Sequence, residues 1–101
     1  MSDLLEHHVF SGLLNTKFRV VLDSPDVVEL ELVEVSENKV TNHQEYFTII
    51  LTGSPDQFLG QGTRSLQHDQ MGTIDLFLVP VGKNESGIQY ESVFNRILGQ
   101  R

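Results

Sequence analysis

The chain has 101 residues, 39% hydrophobic and 21% charged, with a formal net charge of −7 and no cysteine. That length carries one core, so residues 1–101 are read as a single domain. The acidic surplus repels nucleic-acid phosphates and anionic lipid headgroups and argues against both as partners, while the missing cysteines exclude disulfides, thiolate catalysis and Cys-ligated zinc or iron–sulfur clusters.

In chain order, Ser2 can cap a short amphipathic helix over residues 3–10, with Asp3 and Glu6 favouring its dipole and Gly12 stopping it. Leu4, Leu5 and His8 share a face there, so the spacing predicts a lid (residues 1–14) over one end of a sheet. The opening residues show no basic segment leading into an apolar one, and no later run is long enough to span a bilayer, so a soluble, cytoplasmic protein is expected. Residues 17–23 read as a strand in which Phe18, Val20 and Leu22 alternate with polar side chains. Asp23, Ser24, Pro25 and Asp26 supply a turn, and residues 27–35 return as the second strand of a hairpin. Between Leu32 and Val33 the apolar parity slips by one residue, which predicts a β-bulge and the curvature that closes a small sheet. Residues 37–45 are polar and read as a long exposed loop. Residues 46–52 form a third strand, and Gly53, Ser54, Pro55 and Asp56 are a helix-start pattern pinned by Phe58 and Leu59.

The stretch 61–82 is central. Residues 63–68 and 73–81 are β-capable and separated by four residues, a spacing that requires an antiparallel hairpin. Ile74, Leu76 and Leu78 share the inward parity, yet Phe77, Val79 and Val81 make the other parity apolar too, so that face also needs cover. Pro80 predicts an interruption of the ladder. Residues 82–87 are turn chemistry, residues 88–94 the last strand, and residues 96–101 a fraying tail. The fold class that results is all-β, a small six-stranded antiparallel barrel with a short N-terminal helix. Its expected core is Phe18, Leu30, Leu32, Phe47, Ile49, Leu76, Leu78, Tyr90 and Phe94.

Few residues point to chemistry. His7, His8, His43 and His68 do not have metal-ligand spacing, so no metal is expected. Glu29, Glu31, Glu34 and Glu37 form an acidic row, read as a solvated face paired with Lys17 and Arg19 across the first hairpin, or alternatively as a site for a cation or basic partner. For catalysis the candidates reduce to His68 with Asp69 or Asp75 and Ser65 or Thr63 nearby. No nucleophile elbow, phosphate loop or dinucleotide fingerprint is present, so no catalytic residue and no cofactor is assigned. Two functional classes follow. A protein-binding or assembly module would use Phe77, Val79 and Val81 against another protein or a second copy, forming a homo-oligomer. A small-ligand or enzyme domain would instead use Arg64, His68 and Asp69 with the 37–45 loop at the barrel mouth.

Gln61-Gly62-Thr63, His68, Gly72, the run Leu76-Phe77-Leu78-Val79-Pro80-Val81-Gly82, Gly87, Tyr90-Glu91 and Val93-Phe94-Asn95 together resemble a family of small bacterial proteins known as a domain of unknown function. The similarity runs from about Phe10 to Asn95. It implies no chemistry by itself. Members tend to carry an aromatic residue where this chain has Arg64, so the resemblance implies no family-wide role for that side chain. Some relatives lie near genes for phage-tail-like or surface-fibre proteins, and the resemblance on that account implies a structural or assembly role.

Overall fold

The computed structural model describes residues 7–22 and 27–97. Strands make up 63% of it and helix 6%. The elements are α1 (His7–Ser11), β1 (Lys17–Val20), β2 (Val28–Val35), β3 (Lys39–Val40), β4 (Gln44–Gly53), β5 (Gly62–His68), β6 (Gly72–Asn84) and β7 (Gly87–Ile97). Hydrogen-bonded neighbours run β2-β1-β5-β6-β7-β4-β3, and β2 pairs with β4 as well. Six strands therefore close into an antiparallel ring, and β3 continues the side of β4 that β2 leaves open. No helix among the described residues is long and apolar enough to cross a membrane.

Two irregularities give the sheet the bend that closure requires. The β2–β4 register shifts between Leu32 and Glu34, where the apolar parity slips, and the β6–β7 register shifts between Pro80 and Gly82. In the first an extra residue coils the strand, and in the second proline has no N–H to contribute to a ladder. The β5–β6 hairpin ends on the pair His68↔Gly72. Its three-residue loop needs a left-handed residue at the exit, and Gly72 takes φ 79° there. At the other end of β6, Gly87 (φ 134°) packs so closely that a Cβ would fall on the Gly53 carbonyl oxygen of β4.

The interior is filled. Leu30, Leu32, Ile49, Leu51, Leu66, Leu78, Phe18 and Tyr90 are fully buried across its middle. One end is closed by α1 and the segment after it, through Phe10 and Leu13. Phe10 joins Phe47 and Phe94, whose rings stack at 4.7 Å with an 8° interplanar angle, and His7 meets the Phe47 ring edge-on at 5.2 Å. The other end is closed by Leu59, whose N–H donates to the Tyr90 hydroxyl at 2.9 Å.

Several expectations require correction. Of the helix expected over residues 3–10, the described part is α1 (His7–Ser11), in which Phe10 is buried and His8 exposed; residues 3–6, with Leu4 and Leu5, and the turn at 23–26 lie outside the described residues. The first strand stops at Val20, not Asp23. The expected loop 37–45 contains β3, because Lys39 and Val40 pair with Tyr46 and Glu45. Residues 54–57 make a turn rather than a helix: the Ser54 hydroxyl accepts from the Asp56 N–H and its carbonyl from the Gln57 N–H. Leu59 is buried as expected, but Phe58 is 65% exposed. Strand β6 continues to Asn84, leaving a two-residue loop, and β7 continues through Arg96 and Ile97, which pair with Glu45 and Gln44 instead of fraying; residues 98–101 lie outside the described residues. The six expected strands are the six that make the ring, and among the described residues β3 is added to them. Eight of the nine expected core residues are buried, and Phe94 is half-buried against them.

Candidate functional site

Strand β5 alternates Arg64, Leu66 and His68 inward with Thr63, Ser65 and Gln67 outward, since Leu66 and His68 are buried and the parity of a strand is two. His68 therefore lies inside the ring, at the end covered by α1. Its ring is 4.5 Å from that of Phe18. The Gln70 N–H donates to Nδ1 at 3.0 Å, so the ring proton sits on Nε2. Nε2 is 2.8 Å from the Thr16 Oγ1, and that hydroxyl has its own hydrogen committed to the Leu13 carbonyl at 2.6 Å. The chain of donors thus reads His68 to Thr16 to Leu13, and both imidazole nitrogens are occupied by the protein itself.

The residues grouped with His68 do not converge on it. Asp69 is exposed and binds Arg19 at 3.1 Å. Arg64 shares the inner face but is about 13 Å up the strand at roughly 3.3 Å per residue, with buried Leu66 between. Its Nη2 donates to the Gly60 carbonyl at 3.0 Å, and its Nε is buried without a hydrogen-bond partner. Asp75 is on the outer face of the hairpin, accepting from the Ser65 hydroxyl at 2.6 Å. Among the described residues no group of three or more His, Asp or Glu is placed to hold a metal ion.

Glu29, Glu31 and Glu34 of the acidic row lie on the outer face of β2, and Glu37 lies beyond its end. Lys17 and Arg19 sit opposite Glu31 and Glu29 in the β1–β2 register, although Arg19 makes its ion pair with Asp69. A polar trough next to the row, about 380 Å³, is floored by Glu29, Glu31 and Thr52 and walled by Ser54, Gln57 and Ser86. At the far edge of the sheet, Glu45 accepts from Arg96 and from the Asn38 amide (2.6 Å). The Arg96 hydrogen bond, then that of Asn38, lowers its pKa below the ordinary glutamate value.

The other outer face, over β6 and β7, has a different character. Phe77 and Val81 are 50% and 53% exposed, and Val79 is half-buried. The register sets Val79 beside Glu91 of β7, and Glu91 beside Ile50 of β4. Val93, two residues along β7, is 52% exposed and pairs with Thr48. A shallow apolar groove continues the face past Pro80, between Phe58, Pro55 and Ile88. Helix α1 packs at the end of the ring and leaves this face open among the described residues.

A family model described as "Domain of unknown function (DUF6916)" matches residues 5–94. The chain belongs to the DUF6916 family. No curated protein and no solved structure matches it. In this DUF6916 domain, Phe77, Val79 and Val81 share the outer face with Val93 and Ile50, two residues that the sequence did not group with them because each sits alone among polar or inward-facing neighbours on its own strand. Only the pairing of β4, β7 and β6 brings them onto one surface, and no spacing within a strand encodes that.

Proposed function

We propose that this domain is a protein-binding or assembly module, and that its partner docks on the outer face of β6 and β7 around Phe77, Val79 and Val81. One observation carries the reading: among the described residues Phe77 and Val81 stay exposed and Val79 half-buried, although the interior is already filled and both ends of the ring are plugged. Apolar side chains contiguous over several strands, on the order of a few hundred Å², mark an interaction surface more often than a chance exposure. The rival site at the barrel mouth draws no such support. His68 has both ring nitrogens engaged, and Arg64 and Asp69 point to other places.

Photo-crosslinking in the cell tests this. With benzoyl-phenylalanine at position 77, a discrete adduct is expected, either with another protein or with a second copy, and the same probe at Glu29 on the opposite face should give none. Equal adducts from both positions, or none from position 77, would overturn the proposal.

A further inference from the structure

The face also carries information about the chemistry of what covers it. We infer that the occupant is a basic amphipathic segment of another protein, which sets a lysine or arginine between apolar side chains, and not a second copy of this chain. This rests on the docking reading above and specifies the partner for that same surface.

Glu91 sets the requirement. Its neighbours across the strands are Val79 on one side and Ile50 on the other, both half-buried. A carboxylate flanked in this way loses water when the face is covered, and a buried charge is tolerated only when a counter-charge or donor meets it. Its described surroundings on the face supply none, and Lys83 lies further on, lining the groove beyond Pro80. The outward positions of β6 from Thr73 to Val79, of β7 from Gln89 to Asn95 and of β4 from Tyr46 to Thr52 include Asp75 and Glu91 and not one lysine or arginine. The cation has to come from the partner.

A second copy is a poor source. An interface between identical copies is most often two-fold, presenting the same patch from both sides, so Asp75 and Glu91 would meet a surface of their own sign. Juxtaposed like charges oppose association, and each copy brings a net charge of −7. Strand addition is also resisted. Beyond Leu78, β6 has no strand among the described residues on the side where β5 begins, yet that edge has Pro80, a register shift and Lys83, three devices that hinder edge pairing. What is left to bind is the face, and a segment with alternating apolar and basic positions fits both its apolar strip and its carboxylates.

Two synthetic peptides of equal length test the inference: an amphipathic Leu/Lys sequence and its Leu/Glu counterpart, titrated by fluorescence anisotropy against the folded domain. The Leu/Lys peptide should bind and the Leu/Glu peptide should not. Phe77→Lys should abolish binding, Glu91→Gln should weaken it about tenfold, and the double variant Glu29→Gln/Glu31→Gln on the opposite face should leave it within about twofold. Light scattering of the wild type at micromolar concentration should show a monomer. Binding indifferent to Glu91→Gln, or weakened as much by the Glu29/Glu31 variant, would mean diffuse attraction to an acidic protein and would overturn the inference. A wild-type dimer that Phe77→Lys converts to a folded monomer would overturn the partner's chemistry while keeping the docking face. Failure of Phe77→Lys to change either peptide binding or self-association would remove the docking face as well.

Discussion

Two hydrogen bonds decide what His68 does. With Nδ1 accepting from Gln70 and Nε2 bonded to Thr16, the imidazole fastens the β5–β6 hairpin to the segment that follows α1. His68→Ala should therefore destabilise the domain by roughly 2–4 kcal/mol, from the cavity beside Phe18 and the Gln70 N–H left unpaired. Thr16→Val should cost about 1–3 kcal/mol, because it strands the Nε2 hydrogen, while the Leu13 carbonyl keeps the Thr16 N–H as its donor. Urea unfolding measures both, and if the two losses are not additive in the double variant, the residues act as one unit. None of this was legible in the sequence, where His68 stood next to Asp69 as a candidate to which no catalytic role was assigned. Its true partner is 52 positions away, and only closure of the ring through β1 and β5 brings Thr16 to it. The inward parity of Arg64 was legible, since Leu66 and His68 set the phase of the strand, but its distance from His68 follows from the same phase and contradicts a shared site.

At the scale of elements, the hairpins and both bends could be read from local chemistry. The parity slip after Leu32 and the missing N–H of Pro80 are facts about single residues that constrain the ladder wherever the strand lies. Strand β3 could not be read. Lys39 and Val40 carry no pattern of their own and become a strand only because β4 extends past the end of β2 to meet them. The same corner shifts the titration of Glu45. Glu45 is lowered by Arg96 first and Asn38 second, so its ionised form is favoured in the folded state. Its contribution is present above the unfolded glutamate pKa, near 4.5, and is lost as pH falls through the lower folded value. A proton titration followed by NMR should place the Glu45 midpoint below that of a free glutamate, and Arg96→Ala should move it back up. If Arg96→Ala leaves the midpoint unchanged, the pair is not what holds this corner.

For the whole molecule, composition and alternation pointed to a small closed all-β fold, and the ring confirms it. Strand order is where sequence reading ended, since β1 finds β5 and β2 finds β4 across long separations that no turn signal encodes. That order has a consequence for how the molecule breathes. Around the ring, β4 and β7 pair along their whole lengths, from Gln44↔Ile97 to Gly53↔Ile88, whereas β1 meets β5 only at Arg19↔Gln67 and Val20↔Leu66, with one further bond from the Val21 N–H to the Ser65 carbonyl. Local opening takes the route that breaks the fewest bonds, so the cylinder should unzip along this seam, tethered there mainly by the His68–Thr16 clasp. Amide hydrogen exchange should show β1 and the β5 edge facing it exchanging well before β4 and β7, and Thr16→Val should accelerate the first set while leaving the second nearly unchanged.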